Sequence, residues 1–416
     1  MKKSHVVIVG GGFGGLAAAK ALSKNKDIKI TLIDKRNYHL FQPLLYQVAM
    51  AGLSPAEIAY PLRALLTNHK NVEILLGEVK TINKEEKWVE TDTNKVSFDY
   101  LILACGSTYT YFNSPEWEPF APGLKTITQA TEIRRRVFLA FEKAERESDP
   151  ELQRMHTTFV VVGGGPTGVE LAGSLGEITR YSLLRDFNNI QTYQTKIILI
   201  EAGPRILPSM TPDLSREAVR ELDQLGVEVR VNTKVSEINA EGIRAGNEFI
   251  KSQTILWAAG VAANPLNKRL GTEMDRQGRI IVTENLSLPN HPNIFVIGDQ
   301  AHYKWGENNM PLPGLAPVAM QQGRYVAKVI KKKLSGTNTN EIFKYVDKGQ
   351  MATVGRSRAV AMYKGLNFSG FVAWSAWLLV HIYYLIGFKN RIFVLFQWAW
   401  TYLTFRRGAR LIVEKE

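Results

Sequence analysis

The chain has 416 residues, of which 45% are hydrophobic, and it carries a net charge of +13 at pH 7. This length predicts two or three domains, and the charge favours phosphorylated cofactors or an anionic lipid surface; no nucleic acid is expected, because no basic run is interleaved with aromatic residues. The one cysteine, Cys105, excludes a disulfide framework, a thiolate iron–sulfur cluster and a redox-active cysteine pair within the chain, and the seven histidines lack metal-ligand spacing, so no metal site is expected.

The chain opens with a pattern that is typical of dinucleotide binding. Residues 6–9 predict a buried strand, and small residues at helical spacing follow through Leu22. Strand and helix are joined by glycines at the spacing Gly-x-Gly-x-x-Gly, namely Gly10, Gly12 and Gly15. These glycines allow a tight turn, close approach of the backbone to a pyrophosphate, and contact between helix and strand. A second strand, residues 28–33, then delivers Asp34, whose carboxylate suits a ribose 2'-hydroxyl.

The basic start Met-Lys-Lys followed by apolar residues resembles a secretory signal. The apolar run is short, however, and it leads into the glycines of the nucleotide site. We therefore interpret residues 6–9 as a strand and expect the chain to stay on the cytoplasmic side.

The segment that follows is rich in aromatic and amide side chains. Gln42 and Pro43 predict a rigid turn that places backbone groups against a flat ring system. His39, taken alone, is more typical of a loop that packs on the core. Residues 54–66 predict one helix, which begins at a Ser-Pro pair.

An apolar strand over residues 99–107 ends in small residues. Ala104 and Gly106 leave room at the strand end for the backbone of a ligand. Cys105, between them, is interpreted as a small buried filler and not as a reactive thiol.

A second dinucleotide fingerprint follows a charged connecting helix predicted over residues 126–148. The strand 158–162 leads into glycines at the same spacing, namely Gly163, Gly165 and Gly168. Two fingerprints in one chain predict an enzyme that holds two dinucleotides at once. The next strand ends in Glu201, which would accept hydrogen bonds from a ribose diol and repel a 2'-phosphate, so NADH is favoured over NADPH although Arg205 is close.

Glu170 stands just inside the second fingerprint helix and has two interpretations. An acid near a helix N-terminus stabilises the helix dipole by about 0.3–1 kcal/mol, which requires no further function. The alternative is that its carboxylate faces the nicotinamide.

The remaining strands predict that the first nucleotide domain is split. Residues 293–298 predict a strand that ends at Gly298 and Asp299, and an acid there suits a ribityl hydroxyl of a flavin. A helix over 318–334 then begins with Gln321 and Gln322, which either hydrogen-bond a carbonyl substrate or are simply solvated. We predict an α/β fold with two Rossmann-like domains, the second inserted in the first. The predicted parts are an FAD-binding domain (1–125 and 285–345), a connecting helix (126–155), an NADH-binding domain (156–284) and a C-terminal membrane-association region (346–416).

The C-terminal region has the composition of a membrane interface. Residues 365–388 and 392–405 contain no Asp, Glu, Lys or Arg, are dense in aromatic residues and have cationic flanks. Aromatic rings with basic neighbours favour the headgroup boundary, so we expect two helices that lie in the interface and do not span it. A dimer interface is the alternative, and it shares the same surface.

The motifs together resemble the two-dinucleotide flavoprotein disulfide-reductase superfamily and, within it, the type II NADH:quinone oxidoreductases. They are Val-Ile-Val-Gly-Gly-Gly-Phe-Gly-Gly, Gln-Pro-Leu-Leu-Tyr, Val-Val-Val-Gly-Gly-Gly-Pro-Thr-Gly-Val-Glu-Leu-Ala-Gly, Phe-Val-Ile-Gly-Asp and Ala-x-x-Ala-x-Gln-Gln-Gly. With the aromatic C-terminal region, the resemblance covers the whole chain. The disulfide reductases within the superfamily need paired cysteines, and the sulfide:quinone oxidoreductases also need more thiols than Cys105 supplies.

The resemblance implies a division of residues between the ligands. Tightly bound, non-covalent FAD is held by Gly10, Gly12, Gly15, Asp34, Asp299 and, from the C-terminal region, Lys348. NADH is held by Gly163, Gly165, Gly168, Glu170 and Glu201, and Gln321, with Gln322, borders a quinone pocket. Further candidate cofactor contacts are Phe13, Lys35, Gln42, Pro43, Val79, Ala104, Gly106, Gly298 and Gly260. Pro317 departs from some members of the family, which carry a glutamine there.

The expected function is therefore that of a peripheral, monotopic enzyme on the cytoplasmic face of the cell membrane. It would oxidise NADH and reduce a membrane quinone through FAD, without pumping protons, as a homodimer. A membrane-docked, NADH-binding redox sensor or scaffold with slow turnover is the alternative.

Overall fold

The computed structural model describes residues 3–306, 309–337, 341–404 and 407–412. The chain forms two compact units, and both are discontinuous in sequence. The first unit comprises the described residues of Met1–Leu40, Ala59–Thr108 and Val261–Asp347, and the second comprises those of Phe41–Ile58, Tyr109–Gly260 and Lys348–Glu416.

A six-stranded sheet forms the centre of the first unit. Its strands, in spatial order, are Ser287–Leu288, His291–Val296, Tyr100–Leu103, Ser4–Val9, Ile28–Asp34 and Val72–Leu76. All neighbours are parallel except Ser287–Leu288. Val6, Val7 and Ile8 are fully buried. A strand covered on both faces reads as a continuous apolar run, which explains why the sequence pattern predicted it.

The helices Phe13–Leu22 and Ala316–Leu334 pack against each other in this unit. A side chain at Gly323 would collide with the backbone of Gly14, so the absence of a Cβ permits the close approach. The smaller elements are the helix Leu62–Leu66, the 3-10 turns Pro265–Leu270 and Gly298–Gln300, the antiparallel sheet Thr81–Asn83, Trp88–Glu90 and Lys95–Ser97, and the strand pairs Tyr38–Leu40 with Ala59–Pro61, Ile280–Ile281 with Ala301–His302, and Lys304–Trp305 with Met310–Pro311.

One expectation about local structure differs from the observed elements. The single helix expected over 54–66 is wrong: two short helices, Pro55–Ile58 and Leu62–Leu66, flank the strand Ala59–Pro61. Proline disfavours helical backbone in the residue before it, and the strand pairs with Tyr38–Leu40 instead. The last segment of the first unit begins at Val261, and residues of the turn Pro265–Leu270 and Ile280 belong to the core of this unit.

A four-stranded parallel sheet forms the centre of the second unit. Its strands, in spatial order, are Val227–Arg230, Lys196–Ile200, Thr158–Val162 and Thr254–Trp257. The chain also forms the antiparallel sheet Val235–Ile238, Gly242–Ala245 and Glu248–Lys251, the helices Leu45–Ala49, Ile127–Arg146, Pro150–His156, Pro166–Glu177 and Pro212–Gln224, the π-helical turn Ile178–Ser182, and the 3-10 turns Gln42–Leu44, Pro115–Trp117 and Thr192–Gln194. Strands Ser107–Tyr109 and Val261–Ala263 lie where the chain passes between the two units.

The C-terminal part of the second unit begins with a sheet that the sequence analysis did not predict. The strands Gln350–Gly355, Arg358–Tyr363 and Leu366–Ser369 are antiparallel, and the helices Gly370–Tyr384 and Phe388–Thr404 follow. Two terminal helices are therefore present, but the first begins later than residue 365. Within the described ranges, neither these nor any other helix has the length and apolar character needed to cross a bilayer.

A buried ion pair fastens the C-terminal segment within this unit. Arg407 donates to the Glu177 carboxylate at 2.7 Å and to the carbonyl of Met50 at 2.7 Å. The two charged side chains are only 8% and 15% exposed. Removing one partner of such a pair leaves the other charge buried without compensation, so the pair constrains where the chain can run after Phe388–Thr404.

We predict that Arg407→Ala destabilises the protein by about 3–5 kcal/mol, because Glu177 loses its buried counter-charge. Arg216→Ala is the matched control, since its pair with Asp213 is 72% and 74% exposed and such pairs contribute under about 1 kcal/mol. Denaturant unfolding measures both variants. Equal losses of stability in the two variants would contradict the assignment of the Arg407 pair as a structural constraint.

Candidate functional site

The first glycine loop has the geometry of a dinucleotide turn. Gly10 has φ of 104°, and a Cβ there would collide with the backbone of Ala104. A Cβ on Gly15 would collide with the carbonyl of Gly10, whereas one on Gly12 would meet no atom within 4 Å. The loop thus packs tightly on its protein side and is open at Gly12, at the N-terminus of the helix Phe13–Leu22, where a phosphate is favoured.

Asp34 ends the neighbouring strand and holds this loop. One carboxylate oxygen accepts the backbone N–H of Gly11 at 2.6 Å, and the other accepts that of Arg36 at 2.8 Å. Each oxygen retains a lone pair for a hydroxyl of the ligand. Burial raises the pKa of Asp34, and the hydrogen bond from Gly11 opposes that rise.

His39 supports the other side of the same loop, a role that the sequence analysis missed. Its Nδ1–H donates to the carbonyl of Gly11 at 2.9 Å, because a carbonyl can only accept. The side chain is 1% exposed, and burial lowers its pKa to about 4. The ring is therefore neutral at physiological pH, and the edge of the Phe13 ring packs on it. No spacing rule distinguishes such a histidine from an ordinary core residue.

The Gly-Asp turn of the first unit is held by side chains from three segments. Gly298 has φ of 69°. Its N–H donates to Oε1 of Gln322 at 2.6 Å, and Ser107 Oγ donates to the Asp299 carboxylate at 2.6 Å. Gln300, fully buried, accepts the N–H of Cys105 at 2.5 Å. The polar side chains around Asp299 are thus fixed by the protein itself.

The other candidate residues of the first unit have varied surroundings. Burial raises the pKa of the Cys105 thiol to about 12, as expected of a filler. Lys35 is exposed and pairs with Glu78 at 3.1 Å, and Val79 is a core residue. Gln321 exchanges two hydrogen bonds with the backbone of Val346, each of 3.0 Å.

Gln322 is 1% exposed, and its Oε1 accepts the backbone N–H of Gly298. Its side chain therefore stabilises the Gly-Asp turn. Gln42, Pro43 and Lys348 belong to the second unit, where Gln42 Nε2 donates to the carbonyl of Lys125 at 3.4 Å. Contacts of Gln42, Pro43 and Lys348 with a cofactor, and of Gln321 and Gln322 with a quinone, stay predictions.

The second glycine loop repeats the first within the second unit. Gly163 has φ of 109°, a Cβ on Gly168 would collide with the carbonyl of Gly163, and one on Gly165 would meet no atom within 4 Å. Glu201 accepts the N–H of Gly164 at 2.7 Å and that of Gly203 at 2.6 Å. The same carboxylate-to-loop contact is therefore present in both units.

Two further residues shape the surroundings of this loop. Arg205 donates to the carbonyls of Met210 and Pro208 at 2.7 and 2.8 Å, so its guanidinium is held by the backbone of the loop that follows it. Gly260 has φ of 67°, and a Cβ there would collide with Phe112 and the carbonyl of Thr110. The third residue after the strand Thr254–Trp257 thus has to be small, as Ala104 and Gly106 suggested for the end of a strand in the first unit.

Glu170 lies in the second turn of the helix Pro166–Glu177 and holds a proton more tightly than an ordinary glutamate. Burial raises its pKa well above the usual value, and a hydrogen bond from the backbone N–H of Thr353 opposes the rise. Burial raises the pKa of Tyr46, from the helix Leu45–Ala49, and the nearby carboxylate of Glu170 adds to that rise. A carboxyl with this shift can act as a proton donor or acceptor in a reaction. The described part of the chain contains no group of three or more His, Cys, Asp or Glu that could hold a metal.

Comparisons with known proteins agree with this arrangement. The profile of the pyridine nucleotide-disulphide oxidoreductase family matches residues 4–323. A type II NADH:quinone oxidoreductase, Ndh, of Mycobacterium tuberculosis is 42% identical over 100% of this chain and 91% of its own length. One from Staphylococcus aureus is 31% identical over 88% of this chain and 92% of its length.

The structure of NDH2 from Plasmodium falciparum, solved in complex with NADH, has a TM-score of 0.88 to this chain at 22% identity, and it covers 99% of this chain and 100% of that one. This likeness confirms the predicted α/β fold. The sequence relatives identify the chain as a member of the type II NADH:quinone oxidoreductases, enzymes of the pyridine nucleotide-disulphide oxidoreductase family.

Proposed function

We propose that this protein is a peripheral membrane flavoenzyme that oxidises NADH and reduces a membrane quinone through FAD without pumping protons. The observation that carries the proposal is the repetition of one site, a glycine loop held by a carboxylate, in two units of the chain. Each site suits one dinucleotide, and the pair suits a cofactor and a pyridine-nucleotide substrate.

The first loop fits FAD. The open face at Gly12 suits the pyrophosphate, Asp34 suits the adenosine ribose, and Asp299 suits the ribityl chain. Ser107 and Gln322 hold the Gly-Asp turn in place before any ligand binds, which lowers the cost of ordering on binding. When bound, FAD supplies a ring system that accepts two electrons from NADH and passes them to a quinone.

The second loop fits NADH. Glu201 has accepting oxygens for both ribose hydroxyls, and a 2'-phosphate would meet its negative charge. Arg205, the nearest cation in sequence, already donates to two backbone carbonyls, which leaves it poorly placed to neutralise such a phosphate. We therefore propose a preference for NADH over NADPH.

Glu170 and Gln321 serve the two substrates in this proposal. Glu170 orients the nicotinamide or gates its access, and burial raises the pKa of its carboxyl well above the usual value, which suits a group that exchanges a proton. The Gln321 amide uses one N–H and one lone pair on Val346, so it retains a donor for a quinone oxygen. Gln322 supports the site indirectly, because its side chain holds the backbone N–H of Gly298.

The two terminal helices provide the membrane contact. Apolar and aromatic side chains are widely exposed on them, namely Phe371, Val372, Leu379, Tyr383, Phe388, Phe393, Phe396, Trp400 and Leu403. Lys389 and Arg391 supply positive charge in the same region, and each basic residue near anionic lipid adds about 1 kcal/mol. We propose that the helices lie in the cytoplasmic interface of the cell membrane. The alternative is that the same exposed surface forms the interface of a homodimer.

We predict that anaerobic NADH bleaches the flavin and that added quinone restores its colour. Gln321→Ala should slow the reoxidation at least about tenfold, the effect of losing one hydrogen bond to a buried polar group, and should spare the reduction. Gln277→Ala, an exposed glutamine, is the matched control. Stopped-flow absorbance separates the two half-reactions. A flavin that bleaches and stays bleached would refute the function, and equal slowing of both steps would refute the role of Gln321.

We also predict that the protein floats with vesicles of phosphatidylcholine and phosphatidylglycerol. Replacing Phe396 and Leu403, which are 73% and 77% exposed, by serine should weaken binding at least about tenfold, because apolar area is lost from the lipid. The control is Leu76→Ser, at a residue that is 62% exposed in the first unit. If the serine variant floats as well as the unaltered protein, the helices are not the membrane contact, and a dimer interface becomes the better explanation.

A further inference from the structure

A chain of hydrogen bonds in the second unit connects the last helix with Glu170. Trp398 Nε1 donates to Oε1 of Gln47 at 2.7 Å, and Gln47 Nε2 donates to Tyr46 Oη at 3.1 Å. The hydroxyls of Tyr46 and Thr353 are 3.0 Å apart. The backbone N–H of Thr353 then donates to the Glu170 carboxyl. Three hydrogen bonds between side chains thus run from Phe388–Thr404 to Thr353, whose backbone contacts a residue of the proposed NADH site.

The direction of every bond in this chain is set at its Trp398 end. An indole N–H can only donate, so the oxygen of the Gln47 amide has to face Trp398. The NH2 group of Gln47 consequently faces Tyr46, whose oxygen accepts. The hydroxyl hydrogen of Tyr46 is then free to point at Thr353 Oγ1, so all hydrogens point from Trp398 towards the residue that contacts Glu170.

The direction of these hydrogen bonds affects Glu170 because the groups that form them are buried. Tyr46 and Thr353 are each 5% exposed, and dipoles in such a low-dielectric interior act strongly on a nearby charge and reinforce one another. The hydroxyl of Tyr46 points its hydrogen at Thr353, whose backbone N–H donates to the Glu170 carboxyl. Positive dipole ends directed at this residue favour the ionised form of Glu170. With the amide of Gln47 turned over, Tyr46 would donate to Gln47, and the positive ends would point away.

We propose that Trp398 and Gln47 are positioning residues for the reaction: by fixing the direction of this hydrogen-bonded chain they set the proton affinity of Glu170. The proposal rests on the proposed function for the role of Glu170 in catalysis. It also connects the helix that we assign to the membrane interface with the nucleotide site, through contacts that lie within one unit.

Few other charges act on Glu170. The strand Gln350–Gly355 has no ionisable side chain, and Tyr46 is the one such side chain on Leu45–Ala49. Glu177, at the far end of the Glu170 helix, is paired with Arg407. The other ionisable residues on elements that pack on this helix are Lys196, Arg180, Tyr181, Glu228, Arg230 and those of Pro212–Gln224, and none of them contributes to the pKa shift of Glu170.

The test is an infrared titration of the holoenzyme. The stretch of the protonated Glu170 carboxyl is identified as the band that Glu170→Gln removes, and its midpoint is measured against pH. Trp398→Phe and Gln47→Met should each raise the midpoint by about half a unit or more, the shift expected for losing most of one net hydrogen bond. The double variant should match either single variant, because both break the same chain. The pH limb that Glu170 causes in quinone turnover should move in the same direction.

Two further variants complete the experiment. Trp88→Phe is the matched control, since the indole N–H of Trp88 donates to Glu86 on an exposed hairpin of the first unit, and it should leave the midpoint unchanged. Tyr46→Phe cuts the chain in its middle, keeps the ring, and should raise the midpoint even if a change at Trp398 prevents folding.

If the midpoints do not move in Trp398→Phe, Gln47→Met and Tyr46→Phe, the positioning proposal is wrong and the proposed function is unaffected. Additive shifts in the double variant would have the same consequence. If Glu170→Gln turns over NADH and quinone like the unaltered enzyme at every pH, the catalytic role of Glu170 in the proposed function is wrong. The assignment of Trp398 and Gln47 as positioning residues then falls with it.

Discussion

A carboxylate at the end of a buried strand, hydrogen-bonded to the backbone of a glycine loop, is the interaction on which both proposed nucleotide sites depend. Asp34 makes it with Gly11, and Glu201 makes it with Gly164. A glycine loop has no side chains of its own to keep its shape, so an outside acceptor has to fix the orientation of its N–H groups. The carboxylate meets that need and keeps lone pairs for a ribose, which couples the shape of the loop to ligand recognition.

Other buried polar groups extend this preorganisation. The His39 ring donates a hydrogen bond to the carbonyl of Gly11, and the side-chain oxygen of Gln322 accepts one from the N–H of Gly298. In the second unit, the Arg407 pair and the Trp398 chain fasten the C-terminal segment beside the helix that carries Glu170.

The sequence predicted what depends on local patterns. Both strand–loop–helix fingerprints, both carboxylates, the helix capped by Thr126 and two terminal helices are present as expected. Patterns of spacing could not predict contacts between distant segments. Ala59–Pro61 lies in an apparent helix but finds a strand partner in Tyr38–Leu40, and the sheet before Gly370 has short strands joined by tight turns. His39, Gln47 and Gln322 have roles that only their three-dimensional partners reveal.

The central claim is that the two carboxylate-held loops bind different ligands: the first binds FAD and the second binds NADH. The direct measurement compares flavin content and NADH affinity in Asp34→Ala and Glu201→Ala, by absorbance and calorimetry, with folding checked by circular dichroism. Asp34→Ala should lose flavin and bind NADH as before, while Glu201→Ala should keep its flavin and bind NADH at least about tenfold more weakly, since two ribose hydrogen bonds are lost. Loss of both ligands in either folded variant, or of neither, would contradict the account.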